Sequence, residues 1–280
     1  MTLRRAGNAA TLARVSGRLR EIARQTVAIA ERGEYVNSSG ATVSIAAAVS
    51  ASLAGTLLYE PDVVLPEARS ASGPPVIEVT RESTLEAARR AGDGAATLVF
   101  ASAKNPGGGF LGGAVAQEES LARASALYAG QRTAPAFYDF HRHQQDLRYS
   151  DRVIYSPGVP VFRDDKGRLL DSPYTTAFLT AAAPNLGAIL RNQPGDAADV
   201  PAVLRRRATR VLAVAAAHGH RTLVLGAWGC GVFRNVPAEV AAAFATALRD
   251  VPCFERVIFA IYDRLRNTPV HAAFDAAFAG

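Results

Sequence analysis

A chain of 280 residues, 49% hydrophobic and 20% charged, can bury one large core or two small ones and is too apolar to be disordered as a whole. Its net charge of +6 favours anionic partners: nucleic acid, phosphates or anionic polymers. Two cysteines, Cys230 and Cys253, exclude a disulfide framework and a CxxC metal site, and fit a reducing compartment.

Residues 1–10 read as a frayed tail, and Arg14, Arg18 and Arg20 interrupt any signal-peptide core. Residues 17–33 fit an amphipathic helix with Leu19, Ile22, Ala23, Val27 and Ala30 on one face. Ser44 is placed to cap a second helix, in which Ile45, Val49 and Leu53 recur every fourth residue. The apolar stretch 45–59 carries serines and is too short to span a bilayer, so a soluble, cytoplasmic protein without membrane contact is expected. Pro61, Pro66 and SASGPP at 70–75 form a loop. From residue 76 strands and helices alternate. VIEVT at 76–80 predicts a strand, LEAARRAG at 85–92 a helix ending at glycine, and ATLVFAS at 96–102 a buried strand. A glycine loop leads into a helix over about 114–127. The run 137–151, aromatic and basic by turns, reads as a surface helix. Strands are expected at 153–162 and 176–183, then a helix at about 200–218. That helix carries the densest basic run, Arg205-Arg206-Arg207, read as a solvated face. A strand at 221–227, a second glycine loop, a helix at 237–249, a strand at 256–262 and a short helix complete the chain.

This alternation predicts an α/β sheet layered between helices, with 96–102 and 221–227 as central strands. Residues 1–75 are read as an N-terminal helical extension packed on a domain of residues 76–280.

In an open α/β sheet, ligands sit beyond the C-terminal ends of the strands. Both glycine clusters fall there. The first is NPGGGFLGG, with Gly107, Gly108, Gly109, Gly112 and Gly113; the second is GAWGCGVFRN at 226–235. Glycine allows positive φ and close backbone approach, and successive exposed amides form an anion site. Two such loops side by side suit a diphosphate. Familiar nucleotide motifs do not fit: GK[ST] is absent, and Arg234 stands where a dinucleotide fingerprint needs its third glycine.

Gln117, Glu118 and Glu119 follow at the start of a helix, where the dipole favours carboxylates by about 0.3–1 kcal/mol. Consecutive helical residues point about 100° apart, so the two glutamates are not expected to face each other across one bond. A division of labour is expected instead: one holds ribose hydroxyls, the other serves as general acid and then base at an anomeric carbon.

The triple glycine, seven residues, and then QEE resemble the signature of poly(ADP-ribose) glycohydrolases, the bacterial-type branch in particular. The likeness extends to YSPGVPVFRD at 155–164 and to GAWGCGVFRN. It implies a three-layer α/β/α macrodomain-like mixed sheet that holds ADP-ribose in a cleft. It implies that Glu119 is catalytic, that Glu118 binds ribose hydroxyls and that Gln117 supports the site. Asn105, Gly107, Gly108 and Gly109 would contact the terminal ribose and diphosphate. Gly229, Cys230, Gly231, Val232 and Phe233 would wrap the diphosphate, with Phe233 packing on ribose or adenine. The substrate would be poly(ADP-ribose) or ADP-ribosylated protein, the product ADP-ribose, with no cofactor or metal, by a monomer that does not bind nucleic acid directly. The alternatives are a macrodomain that binds ADP-ribose without cutting it, or a hydrolase of mono-ADP-ribosylated protein.

Other residue patterns are read more plainly. The pairs His141/His143 and His218/His220 lack a third ligand at metal spacing and are expected at the surface or at helix ends. Cys253 reads as a small core residue, and Cys230 has no histidine partner that would make it a nucleophile.

Overall fold

The computed structural model describes residues 2–263 and 265–279, with side chains from Val15 onward, residue 264 excepted. Helix α1 runs over Thr2–Arg32, through the stretch read as a frayed tail. Alanine, the strongest helix former, recurs along this segment and favours the early start. A short hairpin, β1 (Glu34–Val36) and β2 (Thr42–Ser44), comes next. Ser44 therefore ends a strand, and the N-cap of α2 (Ala46–Gly55) is Ile45, which supplies no side-chain bond. β3 (Leu57–Tyr59) follows, then β4 (Val76–Thr80).

α3 (Thr84–Ala91) opens with a capping box. Ser83 Oγ accepts the Glu86 amide at 3.1 Å, and Glu86 Oε2 accepts the Ser83 amide at 3.0 Å. After β5 (Ala96–Phe100) and the first glycine loop, the predicted helix at 114–127 proves to be two, α4 (Gln117–Ala124) and α5 (Leu127–Arg132). The break falls at Ser125, whose extended backbone bridges to Val161. α6 (Pro135–His143) is no simple surface helix, since Phe137, Tyr138 and His141 are buried. The remaining elements are β6 (Val153–Arg163), β7 (Leu169–Ala181), α7 (Leu186–Asn192), α8 (Val200–Ala217), β8 (Thr222–Leu225), α9 (Pro237–Asp250), β9 (Arg256–Ala260) and α10 (Pro269–Phe278).

Seven strands form one mixed sheet in the order β3-β6-β7-β5-β8-β9-β4. β7, β5, β8, β9 and β4 are mutually parallel, whereas β6 is antiparallel to both of its neighbours. Helices flank it on both faces. Leu98 of β5 packs into the cluster that holds α8, α9 and α10, and the next residue, Val99, into the cluster that holds α1, α2 and α4. The strand is therefore buried on both sides, as expected of a central strand. β3 lies within the stretch read as a purely helical extension, yet it forms the edge of the main sheet on β6.

The basic run on α8 is not uniformly solvated. Arg207 is wholly buried; its Nε donates to Asp151 Oδ1 at 2.8 Å and its Nη1 to the Ala182 carbonyl at 2.8 Å. A buried guanidinium demands such partners, because desolvation costs several kcal/mol per ion. Among the described residues no helix is long and apolar enough to cross a membrane.

Candidate active site

β5 and β8 are parallel neighbours, paired at Ala96↔Leu223 and Thr97↔Val224. Both glycine loops leave the C-terminal ends of these strands, so the sheet sets them side by side. Close packing beneath them explains one glycine directly. A Cβ on Gly226 would lie 2.8 Å from the Ala260 carbonyl oxygen and 2.9 Å from the Phe100 ring.

The first loop folds back on itself. Gly107 and Gly108 have φ of +65° and +57°, left-handed values that suit glycine. Their amides do not stay open for an anion, as the sequence had suggested. Gly107 N–H donates to Gln131 Oε1 at 2.7 Å, Gly108 N–H to the Asn105 carbonyl at 3.0 Å, and Gly109 N–H to Glu119 Oε1 at 3.0 Å. The reason is the turn itself, which faces the Gly107 and Gly109 amides toward α5 and α4 and closes the Gly108 amide on the loop's own Asn105. Asn105 sits exposed at the loop's entrance, and among the described residues its side chain makes no hydrogen bond.

The second loop is the opposite case. Among the described residues, the amides of Gly229, Gly231, Val232 and Phe233 donate to no protein acceptor. Gly229 has φ of +73°, and a Cβ there would strike the Asn235 side chain and lie 2.7 Å from Ala183 Cβ. Asn235, which sequence reasoning missed, pins this turn: its amide donates to the Gly229 carbonyl at 3.0 Å and its Nδ2 to the Pro184 carbonyl at 3.0 Å. Val232 is 81% exposed, and Phe233 is half-buried with its ring 6.0 Å from that of Tyr149. Trp228 lies in the core, its indole N–H donating to the Ala181 carbonyl. Cys230 is no nucleophile, because burial pushes its thiol up to about 12.

The carboxylates stand at the first turn of α4, against the first glycine loop. Gln117 anchors that turn to β5. Its Oε1 accepts the Phe100 amide at 2.9 Å and its Nε2 donates to the Leu98 carbonyl at 2.8 Å, so the side chain supports the helix and has no open amide for a ligand. Glu118 is buried. Its Oε2 accepts the Ser102 amide at 2.6 Å, and its Oε1 accepts from Gln131 Nε2 at 2.9 Å. Burial raises its affinity for a proton; the N–H donors from Ser102 and Gln131 oppose this, and nearby Glu119 adds to it. Burial dominates, and the carboxyl titrates at about 8. Glu119 is half-buried; its Oε1 takes the Gly109 amide, while among the described residues its Oε2 has no hydrogen-bond partner.

The two glutamates were not expected to face each other across one bond. Both side chains approach the open α-carbon of Gly108, where a Cβ would meet Glu119 Oε1 and lie 3.1 Å from Glu118 Oε2. Ser102 and Gln131 were also missed, since one is an ordinary strand-end serine and the other joins the site only through the fold. A separate shallow concavity between α1 and α5, lined by Thr26, Val27, Glu31, Tyr128 and Arg132, includes none of the predicted site residues.

His143 is exposed at the end of α6 and His218 caps the C-terminus of α8, as expected of surface or helix-end residues. His141 is fully buried between the Phe137 carbonyl and Ser150 Oγ. His218 and His220 meet the hydroxyls of Tyr59 and Tyr155. Among the described residues no group of three or more His, Cys, Asp or Glu side chains is arranged to hold a metal.

A mixed sheet between helix layers, with open amides and paired carboxyls at its strand ends, has the layout of a macrodomain-like nucleotide-sugar site. The family model described as microbial-type PARG, catalytic domain, matches residues 23–164, and the chain belongs to that family of poly(ADP-ribose) glycohydrolases. Solved structures agree. The poly(ADP-ribose) glycohydrolase of Thermomonospora curvata is 51% identical over 94% of this chain and 100% of its own, with a TM-score of 0.87. The same enzyme bound to the inhibitor ADP-HPD is 50% identical over 94% of this chain and 100% of its own, with a TM-score of 0.83. The Deinococcus radiodurans enzyme in complex with ADP-ribose is 43% identical over 84% of this chain and 98% of its own, with a TM-score of 0.78. No curated protein matches the chain.

Proposed function

We propose that Glu119 is the general acid and base of this poly(ADP-ribose) glycohydrolase, with Glu118 as its buried companion. The observation that carries the reading is the asymmetry of the pair. Glu118 has both oxygens occupied by N–H donors inside the protein, whereas Glu119 keeps Oε2 open beside the glycine loop. Only Glu119 can turn an oxygen to a substrate without breaking an internal bond.

The chemistry follows from that placement. The free amides of Gly229, Gly231, Val232 and Phe233 grip the diphosphate of the terminal ADP-ribose unit. The anomeric carbon of its ribose then lies over Gly108. The two carboxyls approach the same point there. Glu119 Oε2 gives a proton to the leaving 2′-oxygen as the C1–O bond breaks. The positive charge that develops on the sugar is stabilised by the diphosphate and by the carboxylate left behind. That carboxylate takes a proton from water as the water attacks C1, and ADP-ribose is released. Asn105, exposed at the loop entrance, contacts the ribose, and Phe233 closes on the ribose or adenine.

The same reading makes the protein a cytoplasmic monomer that acts on poly(ADP-ribose) or ADP-ribosylated protein without binding nucleic acid directly. Its two cysteines are free, which fits a reducing compartment. Residues 76–280 carry every residue of the proposed site, and α1, α2 and β3 pack against them.

The deciding experiment combines labelled polymer with Glu119→Gln. The wild type should release ADP-ribose; the variant should bind ADP-ribose within a few fold of wild type and show no turnover. A variant with near-normal rates would remove Glu119 from the acid–base role. Release from a mono-modified protein, measured in parallel, separates polymer cleavage from removal of single units.

A further inference from the structure

Gln131, in the last turn of α5, is completely buried. A buried primary amide has four hydrogen-bonding positions to satisfy, and its orientation is rarely free. Here it is fixed from one side. Gln131 Oε1 accepts the Gly107 N–H at 2.7 Å, so Nε2 must face the other way. It donates to Glu118 Oε1 at 2.9 Å and approaches Thr180 Oγ1 at 3.4 Å. A flipped amide would set two donors against each other at Gly107. The peptide N–H of a left-handed glycine thus dictates which end of Gln131 meets Glu118, and hence which oxygen of Glu118 accepts.

We infer that Gln131 is a positioning residue of the hydrolase, clamping the Gly107 peptide and the Glu118 carboxyl into one rigid unit. This rests on the reading of the glutamate pair given above. With Ser102 N–H on Oε2 and Gln131 on Oε1, the Glu118 carboxyl is held at both oxygens. Gly108, between Gly107 and the Glu119-bound Gly109, is thereby held under both carboxyls. Loss of the clamp releases the loop and the carboxyl from each other, and a displacement of about 1 Å at a reacting centre can cost roughly 10²-fold in rate.

An isosteric change distinguishes this role from plain packing. In Gln131→Glu, a protonated carboxyl reproduces both contacts, its C=O accepting from Gly107 and its O–H donating to Glu118. The ionised form cannot donate, and it adds a charge to a site already facing Glu118 and Glu119 on α4 and Tyr138 on α6, with Arg142 beyond Tyr138. Gln131→Glu should therefore lose roughly 10²-fold in kcat at alkaline pH and recover on acidification. Gln131→Met should lose activity across the whole pH range. ADP-ribose affinity, measured by calorimetry on each folded variant, should stay near wild type, so the loss falls on kcat. If Gln131→Glu keeps the wild-type pH profile, or if both variants keep wild-type kcat per folded molecule, the clamp is overturned and Gln131 is a packing residue. Wild-type protein that releases no ADP-ribose from polymer would overturn the underlying reading, a different outcome from active wild type with indifferent variants.

Discussion

At Gly108 a single hydrogen in place of a methyl group decides whether two carboxyls can share a site. The φ of +57° is strained for any other residue, at about 1–3 kcal/mol, and a Cβ would strike Glu119. Gly108→Ala should leave a folded protein with sharply reduced kcat, read from polymer hydrolysis beside a thermal melt. Gly231 is the contrasting case, because no protein atom lies within 4 Å of a Cβ there. Gly231→Ala should keep its melting temperature, and any loss of ADP-ribose affinity would report the approach of the ligand itself. Titration gives a third expectation at this scale. Burial pushes the Glu118 carboxyl up to about 8, so a further negative charge develops beside Glu119 as pH rises through that value, and kcat/KM should change there. In Glu118→Gln that limb should disappear; a limb that stays in place belongs to another group. None of this asymmetry was legible in QEE, since two adjacent glutamates are alike as letters. Only the fold buries one and leaves the other open, through Ser102 at one strand end and Gln131 in a different helix.

Among the elements, α3 shows how local chemistry fixes a boundary. Its cap is Ser83, whose Oγ also donates to Asp165 Oδ2 at 2.6 Å. Ser83→Ala should cost about 1 kcal/mol, visible as a drop of a few degrees in the melting temperature with kcat unchanged. Elements with a long apolar period were readable in advance. β4, β5, β8 and β9 are runs of four or five residues rich in Val, Ile, Leu and Phe, and α8 and α9 repeat alanine and valine at helical spacing. β1, β2 and β3 were not, because three residues cannot display a period of two. The split between α4 and α5 escaped for a tertiary reason: Ser125 leaves the helix to bridge Val161 in β6. The glycine loops were found as loops, but the difference between them was not. Whether an amide is open or occupied depends on side chains such as Gln131 and Asn235, which the loop sequence does not specify.

Taken as a whole, the molecule carries buried histidines whose protonation opposes folding. His141 donates Nδ1–H to the Phe137 carbonyl and accepts from Ser150, and burial lowers its pKa to about 4. His218 stacks on Tyr155 at 3.6 Å and His220 donates to the Gly94 carbonyl; burial lowers both. The unfolded chain takes up these protons near 6.5 while the folded chain resists, so stability should fall as pH drops below about 6.5. Glu118 acts in the opposite sense, gaining its proton early in the folded state. Melting temperatures of Glu118→Gln should therefore fall more steeply with acid than those of wild type. The net charge of +6 adds long-range attraction for a polyanion, and kcat/KM on polymer should decline as salt is raised. The unequal glycine loops have a consequence for medicinal chemistry. A competitor designed to displace the substrate gains little by addressing main-chain donors at 107–109, which are already engaged. On the proposed reading its acceptor groups belong against the amides of Gly229, Gly231, Val232 and Phe233, and the warhead that confers selectivity belongs at Glu119 Oε2.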